Sequence, residues 1–466
     1  MARASGAGYA PGVALRLAGY YLPDRVQRNL TPAVRTFGDV QVDVPSLQPQ
    51  ALTTVIACLA QSGERLRARS VDAILGSIDG VVAGWLAPKS QWRELAERAL
   101  PSVTGFSPQM IRHGLPTLLA PLRGEQIGAL LDAELTQRRI LDARPGPRLI
   151  VHVLSGNIPG LASVPLVLSL AVRSPALVKT AAGDPVFAPL FAASLAEQDP
   201  ELAASVAVAH WGGGDAALEA VAFAAAELVV ASGADATIAA IAAKAPGRVI
   251  GHGHKISFAV DAAECLADAA AGDVARRLAY DVALWDQQGC LSPQVCFVEA
   301  DRARAQEFAG RLAAALREWA SELPPRRMTL AEKAAVWRFR EEAEWTGVPL
   351  YASPDASGWS VTVEEGVQLL PTCLNRCVRV VGVPDLAMLA TALRPHRQHL
   401  EATGMAIGAA RREAVTAMLS RCGVHRVCPL GTMQLPTLAW QPGGRPRIAD
   451  WVNWSGGQAA GDARRA

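Results

Sequence analysis

Two short polar turns hold residue types able to do acyl chemistry. In Asp286-Gln287-Gln288-Gly289-Cys290-Leu291-Ser292-Pro293-Gln294, one cysteine stands in a small turn ahead of the apolar segment Val295-Cys296-Phe297-Val298. A thiol at the mouth of such a turn is open to a substrate, and nearby backbone N–H groups can stabilise both a thiolate and the oxyanion formed when it attacks a carbonyl. Cys290 is therefore the candidate nucleophile. In His152-Val153-Leu154-Ser155-Gly156-Asn157-Ile158-Pro159-Gly160, an asparagine follows the apolar run Arg148-Leu149-Ile150-Val151 and precedes a long apolar stretch from Leu161 to Val172. That order reads as strand, tight turn and helix, with the Asn157 amide at the carboxyl end of a strand, where open α/β sheets bind ligands.

Two glycine turns follow strand-like runs: Trp211-Gly212-Gly213-Gly214-Asp215 after Val206–Ala209, and Ser232-Gly233-Ala234-Asp235 after Leu228–Ala231. Each opens a helix whose N-terminal amides could meet a pyrophosphate, although neither matches G-x-G-x-x-G. Lys179 ends the run Ala176-Leu177-Val178 in a chain whose only other lysines are Lys89, Lys244, Lys255 and Lys333. A lysine there could reach a ribose hydroxyl or a 2′-phosphate. His252 and His254 lack partners at ligand spacing and read as turn and packing residues, so no metal is expected. Cys296 reads as core, and Cys373 and Cys377 carry no metal signature.

A formal net charge of +2 over 466 residues, with scattered arginines and no basic block, gives no footprint for nucleic acid. The longest apolar stretch, Ile158 to Val172, contains prolines and falls short of the roughly 20 residues a membrane helix needs. Eight cysteines without a close CxxC pair or a signal-peptide pattern point to the cytoplasm.

The elements that must position these residues emerge from periodicity. Helical spacing begins near Leu52, Ile56 and Leu59 and recurs at Val71, Ile74 and Ile78, which predicts a largely helical segment over 1–147 packing on the cofactor domain. From Arg148, short β-branched strands (149–153, 176–179, 206–209, 228–231) alternate with alanine-rich helices (161–170, 186–197, 216–225, 234–243), predicting a parallel, Rossmann-like sheet over 148–262 as that domain. A second α/β portion, 263–428, carries the Cys290 turn, helices near 303–316 and 331–346, and a strand at 378–381. A C-terminal segment, 429–466, closes the chain.

The order of an Asn turn, a strand-ending Lys, two Gly turns and a turn-borne Cys resembles the aldehyde dehydrogenase superfamily. The details resemble its acyl-CoA reductase branch, the LuxC family, which supplies fatty aldehyde in bacterial bioluminescence. The similarity runs from about Arg148 onward and more weakly through Gly105–Pro116. The segments 286–294 and Arg426-Val427-Cys428-Pro429-Leu430-Gly431-Thr432-Met433-Gln434 are specific to the branch. The resemblance implies an aldehyde dehydrogenase-like α/β fold, with Cys290 as catalytic thiol and Asn157 as an oxyanion-hole amide. It also implies Lys179 at the cofactor ribose, and Gly213, Ser232 and Gly233 near the cofactor phosphates.

By the same resemblance the cofactor is NADPH and the substrate an acyl-CoA or acyl-carrier thioester. An acyl-transferring protein as partner and a homo-oligomer are also implied. Two departures stand out. The superfamily's water-activating Glu-Leu-Gly-Gly glutamate has no counterpart in Arg248–His254, and its Glu-x-Phe-Gly-Pro motif has none near Leu369–Pro371. A missing base suits a thioester reductase, whose acyl-cysteine must outlast water until hydride arrives. The alternatives are an aldehyde dehydrogenase working oxidatively, CoA-acylating or hydrolytic, and a catalytically silent member of the fold.

Overall fold

A computed structural model describes residues 14–452 apart from 136, 139, 144, 356 and 357. The outermost parts of the expected first and last segments, 1–13 and 453–466, therefore lie outside the described residues. Fifteen strands form three sheets among these residues. The first three, β1 (Leu15–Ala18), β2 (Pro32–Phe37) and β3 (Val40–Pro45), make a small sheet ordered β1-β3-β2. This sheet is absent from the expectation of a largely helical front piece. Helices do fill the rest of that piece, from Pro49–Ala68 to Gly124–Glu134. They are fastened to the neighbouring sheet layer. Arg69 donates to both carboxylate oxygens of Asp199 at 3.0 and 2.6 Å, and Trp85 donates to Ser194 at 2.8 Å. The Arg69 guanidinium, ahead of the Ser77 hydroxyl, holds the Asp199 carboxyl down at about 2.

The second sheet is parallel and ordered β6-β5-β4-β7-β8, from β4 (Ile150–Val153), β5 (Ala176–Lys179), β6 (Val206–Ala209), β7 (Leu228–Ser232) and β8 (Arg248–His252). The strands β4, β5 and β6 are buried throughout, which is why they read as continuous apolar runs and not as alternation. The helices Ser163–Ala171, Phe187–Gln198, Ala216–Ala225 and Asp235–Lys244 connect consecutive strands. Chain order reverses between β4 and β7, which makes a crevice at the carboxyl ends of those strands.

The third sheet has seven strands ordered β11-β12-β13-β10-β9-β14-β15. They are β9 (Ile256–Asp261), β10 (Pro293–Glu299), β11 (Leu350–Ala352), β12 (Ser360–Glu364), β13 (Cys377–Val383), β14 (Leu400–Ala406) and β15 (Arg426–Pro429). All pairs are parallel except β11 with β12. The expected boundary at 262/263 is one strand late: β9 pairs with β10 and β14, so the chain crosses between sheets at 253–255. The four-residue β15 closes the sheet's edge, the chain after it stays against that sheet through Leu430, Met433 and Gly443, and 447–449 then reaches the front piece. There Glu134 accepts from the backbone N–H groups of Arg447, Ile448 and Ala449 at 2.8, 2.8 and 3.0 Å. Among the described residues no single helix is long and apolar enough to cross a membrane.

Candidate active site

The Cys290 turn rests on backbone that L-residues seldom adopt. After the helix Asp268–Ala283, Trp285, Asp286 and Gln287 have φ of 60°, 48° and 61°, and Leu374, Asn375 and Arg376 repeat this at 61°, 54° and 61°. Each left-handed non-glycine residue costs roughly 1–2 kcal/mol, so both runs must be held by their surroundings. They hold each other. Arg376 Nε donates to Asp286 Oδ1 at 2.5 Å, with both side chains essentially inaccessible, and Asn375 N donates to the Asp286 carbonyl at 3.2 Å. The second carboxylate oxygen of Asp286 accepts from the Arg326 N–H at 2.6 Å. Gln287 Nε2 donates to the carbonyls of Pro293 and Cys377 at 2.8 and 3.0 Å, pinning the turn to β10 and β13. Removing one member of a buried pair like Asp286–Arg376 costs about 3–5 kcal/mol, because the survivor is left uncompensated.

The Gly105–Pro116 stretch supports the same turn from the front piece. Trp285 lies edge-on to Phe106, with ring centroids 5.3 Å apart, and its indole fills the space above Gly114, where a Cβ would stand 2.2 Å from a ring carbon. Any side chain at 114 would push Trp285 and the left-handed turn away.

At the tip of this support Cys290 is exposed, while Leu291 and Ser292 after it are buried. Its carbonyl accepts from Ser257 Oγ on β9 at 2.6 Å, and Ser257 Oγ in turn accepts from the Ala402 N–H on β14 at 3.1 Å. A Cβ on Gly289 would lie 3.0 Å from Gln434 and 3.1 Å from Ile158, so the turn is held between the 426–434 segment and the Asn157 loop. Gln434 also donates to Ser292 Oγ, and Asp281 holds its loop by accepting from Gly431 N at 2.6 Å and Met433 N at 3.0 Å.

Asn157 arrives at the same point: its Nδ2 donates to the Gln288 carbonyl at 2.5 Å, and its Oδ1 accepts from Ser155 Oγ at 2.6 Å. The loop needs a glycine at 156, where φ is +66° and a Cβ would come within 2.5 Å of Ala181. Cys296, by contrast, is buried on β10 with its sulfur 3.3 Å from Asp261, as its apolar context predicts.

Of the charges around Cys290, Glu401 and Arg447 come from segments that sequence reading did not single out, and Lys255 follows the His252 and His254 pair read as turn residues. Burial pushes the Cys290 thiol up to about 12, with the negative charge of Glu401 next, while Lys255 and Arg447 pull it down. Cys290 is nevertheless exposed, and solvent at the residue offsets part of that push. Glu401, on β14, is buried and accepts from Gly443 N at 2.9 and 3.2 Å, with Lys255 Nζ 3.9 Å away. Burial raises its carboxyl above the ordinary range, against Gly443, Lys255 and Arg447. Arg447 is fixed by Nε donating to the Trp440 carbonyl at 2.8 Å, and burial brings its guanidinium down to about 10.

The strand β8, which spans most of the stretch expected to lack a water-activating glutamate, has no carboxylate. Gly251 on it has no room for one, since a Cβ would stand 2.4 Å from Ile238 Cγ2.

The remaining expected site residues lie along the crevice of the five-stranded sheet. Lys179 ends β5 and is buried, its ammonium 5.7 Å from the centre of the Trp211 ring, and burial lowers its pKa despite Glu219. Gly213 follows β6 in a turn held by Gly214 N donating to Glu219 Oε1 at 2.8 Å. Ser232 ends β7, and Gly233 N donates to the His252 carbonyl at 3.2 Å. A Cβ on Gly212, Gly213, Gly214 or Gly233 would meet no atom within 4 Å. Strand ends, a buried ammonium and open glycine turns along one crevice fit a dinucleotide.

Comparison with known proteins agrees with this arrangement. The model of the family described as acyl-CoA reductase (LuxC) matches residues 66–444. The chain is similar to the long-chain acyl-protein thioester reductase of Vibrio harveyi, 24% identical over 379 residues that cover 78% of this chain and 77% of that protein. It is also similar to the long-chain acyl-protein thioester reductase of Photorhabdus luminescens, 26% identical over 380 residues, 78% of this chain and 76% of that one. Among solved structures, aldehyde dehydrogenase 21 from Physcomitrella patens superposes with a TM-score of 0.74 at 14% identity, covering 95% of this chain and 98% of that one. A cysteine turn braced across three layers, a dinucleotide crevice beside it and a family match over most of the chain lead to one assignment: the chain belongs to the acyl-CoA reductase (LuxC) family, built on the aldehyde dehydrogenase fold.

Proposed function

We propose that this protein reduces a fatty acyl-CoA, acyl-carrier or acyl-protein thioester to the aldehyde through a covalent acyl-cysteine on Cys290, with NADPH as reductant. The observation that carries the site assignment is the bond from Asn157 Nδ2 to the Gln288 carbonyl, two residues before the thiol. A side-chain amide has two hydrogens, so one remains for an acyl oxygen beside the Cys290 N–H. Lys255 and Arg447 favour the thiolate, which attacks the thioester carbonyl. The carrier thiol leaves with a proton, and Cys290 keeps the acyl group. A bound nicotinamide supplies hydride to that group. Collapse of the resulting thiohemiacetal on Cys290 releases aldehyde and restores the thiolate.

In this reading Lys179 faces the adenosine ribose, and the turns at Gly213 and Ser232–Gly233 face the phosphates. The curated relatives are named as acyl-protein thioester reductases, which favours reduction over the oxidative alternative and supports an acyl-transferring protein partner. Eight free thiols suit a reducing cytoplasm.

The test is NADPH oxidation against a panel of acyl-CoA chain lengths, with aldehyde identified as product. In that assay Lys179→Ala should raise the KM for NADPH by about tenfold or more while the KM for the thioester barely moves, as expected for one buried charged contact. Unchanged NADPH kinetics would refute the contact. An equal loss with NADH and NADPH would separate a ribose contact from one to the 2′-phosphate.

A further inference from the structure

An open cavity of about 680 Å³ lies at the amino ends of β9, β14 and β15, lined in part by Lys255, Arg394, Arg397, His425 and Gly443. We propose that this cavity receives the phosphates of an acyl-CoA, anchoring the carrier end of the substrate while Cys290 takes the acyl carbonyl. The inference rests on the thioester-reductase reading and adds a site to it.

Position comes first. Cys290 precedes β10, which runs parallel to β9, and β9 runs parallel to β14, so the thiol and the cavity share one edge of the seven-stranded sheet. They are linked by short contacts. The Cys290 carbonyl accepts from Ser257 at 2.6 Å, and Ser257 accepts from Ala402 at 3.1 Å. The preceding residue, Glu401, accepts from Gly443 at 2.9 Å and lies 3.9 Å from Lys255, and both of those residues line the cavity. The cavity thus opens on the β14–β15 side of the thiol, with Lys255 following His252 and His254, which bond Gly233 and Asp235 of the turn after β7.

Charge comes second. Lys255, Arg394 and Arg397 line this cavity with His425, and among the described residues lining it there is no carboxylate. Arg394 and Arg397 are exposed, and neither has a carboxylate partner among the described residues. In a chain with a net charge of only +2, unpaired guanidinium groups beside a reactive centre concentrate positive potential where a charged substrate would enter. Guanidinium forks match phosphate oxygens, and CoA carries a diphosphate and a ribose phosphate at the end remote from its thiol.

The test uses the full-length Arg394→Gln/Arg397→Gln double variant, whose changes are confined to exposed side chains. Calorimetry with CoA should show affinity weakened about tenfold or more, the loss expected when charge-assisted contacts are removed. With the acyl-CoA that turns over best in the chain-length panel, KM should rise similarly with kcat kept. The KM for the matching N-acetylcysteamine thioester, which has no phosphate, and that for NADPH should stay unchanged.

Unchanged CoA affinity would overturn the proposal, as would equal KM rises for the two thioesters. A loss confined to NADPH, or to an acyl-protein donor, would reassign the cavity to cofactor or protein docking and overturn it too. Wild-type protein that binds CoA but forms no aldehyde from any thioester would sink the reductase reading alone.

Discussion

Cys290→Ser should lose thioester reduction by at least ~10³-fold while binding NADPH as the wild type does, because only the nucleophilic step is removed. The structure makes this a clean substitution. Cys290 is exposed at a turn braced by Ser257, Gln434 and the Asp286–Arg376 pair, none of which bonds its sulfur, so serine changes little but reactivity. The stability change should stay within roughly 0.5 kcal/mol, as for surface positions. The other cysteine of the segment, Cys296, is buried on β10 against Asp261 and has no path to substrate. Residual activity near that of the wild type in Cys290→Ser would remove the assignment.

Asn157→Ala should lower kcat by about 10²–10³-fold with little change in the KM for thioester, the loss typical of one oxyanion-hole donor. The same amide fastens the Gln288 carbonyl, so a structural cause must be kept separate. If the role is only to fasten the turn, thermal stability should fall along with rate. If it is the acyl oxygen that matters, kcat falls while the melting temperature and NADPH affinity hold. Near-normal turnover would reduce Asn157 to a turn residue.

The sequence made the dinucleotide half of the molecule legible because its strands β4 to β7 are short, β-branched and separated by alanine-rich helices, a contrast that periodicity detects. The catalytic half was less legible. The strand β14, Leu-Glu-Ala-Thr-Gly-Met-Ala, is buried at every position, so it shows no alternation, and its Gly, Ala and Glu have low strand preference. Missing β14 hid Glu401, whose charge acts on Cys290. The small sheet of β1 to β3 was overlooked although Leu15 and Leu17 on β1 and Val40, Val42 and Val44 on β3 alternate with less buried residues; only β2, largely exposed, carries no such pattern.

Arg447 was hidden for another reason. It follows Cys290 by more than 150 residues, and it is brought to the site by backbone bonds to Glu134, a partner from the front piece. No local spacing encodes such a contact. The left-handed runs 285–287 and 374–376 were equally silent, since none of the six residues is a glycine to mark them. By contrast, the Cys290 and Asn157 turns were legible because small and polar residues interrupt apolar runs there, and the fold joins them through Gln288.

The most direct test of the account mixes wild-type protein with acyl-CoA in the absence of NADPH and follows both CoA release and the mass of the Cys290 peptide. With no carboxylate on β8, and Glu401 engaged by Gly443 and Lys255, the acyl-enzyme should be long-lived. The expected result is one burst of CoA, about one per active site, with the acyl mass on Cys290 and almost nothing afterwards. Sustained CoA release with accumulating fatty acid would mean that a base, Glu401 foremost, activates water. Acyl mass on any other residue, or none at all, would contradict the covalent mechanism itself.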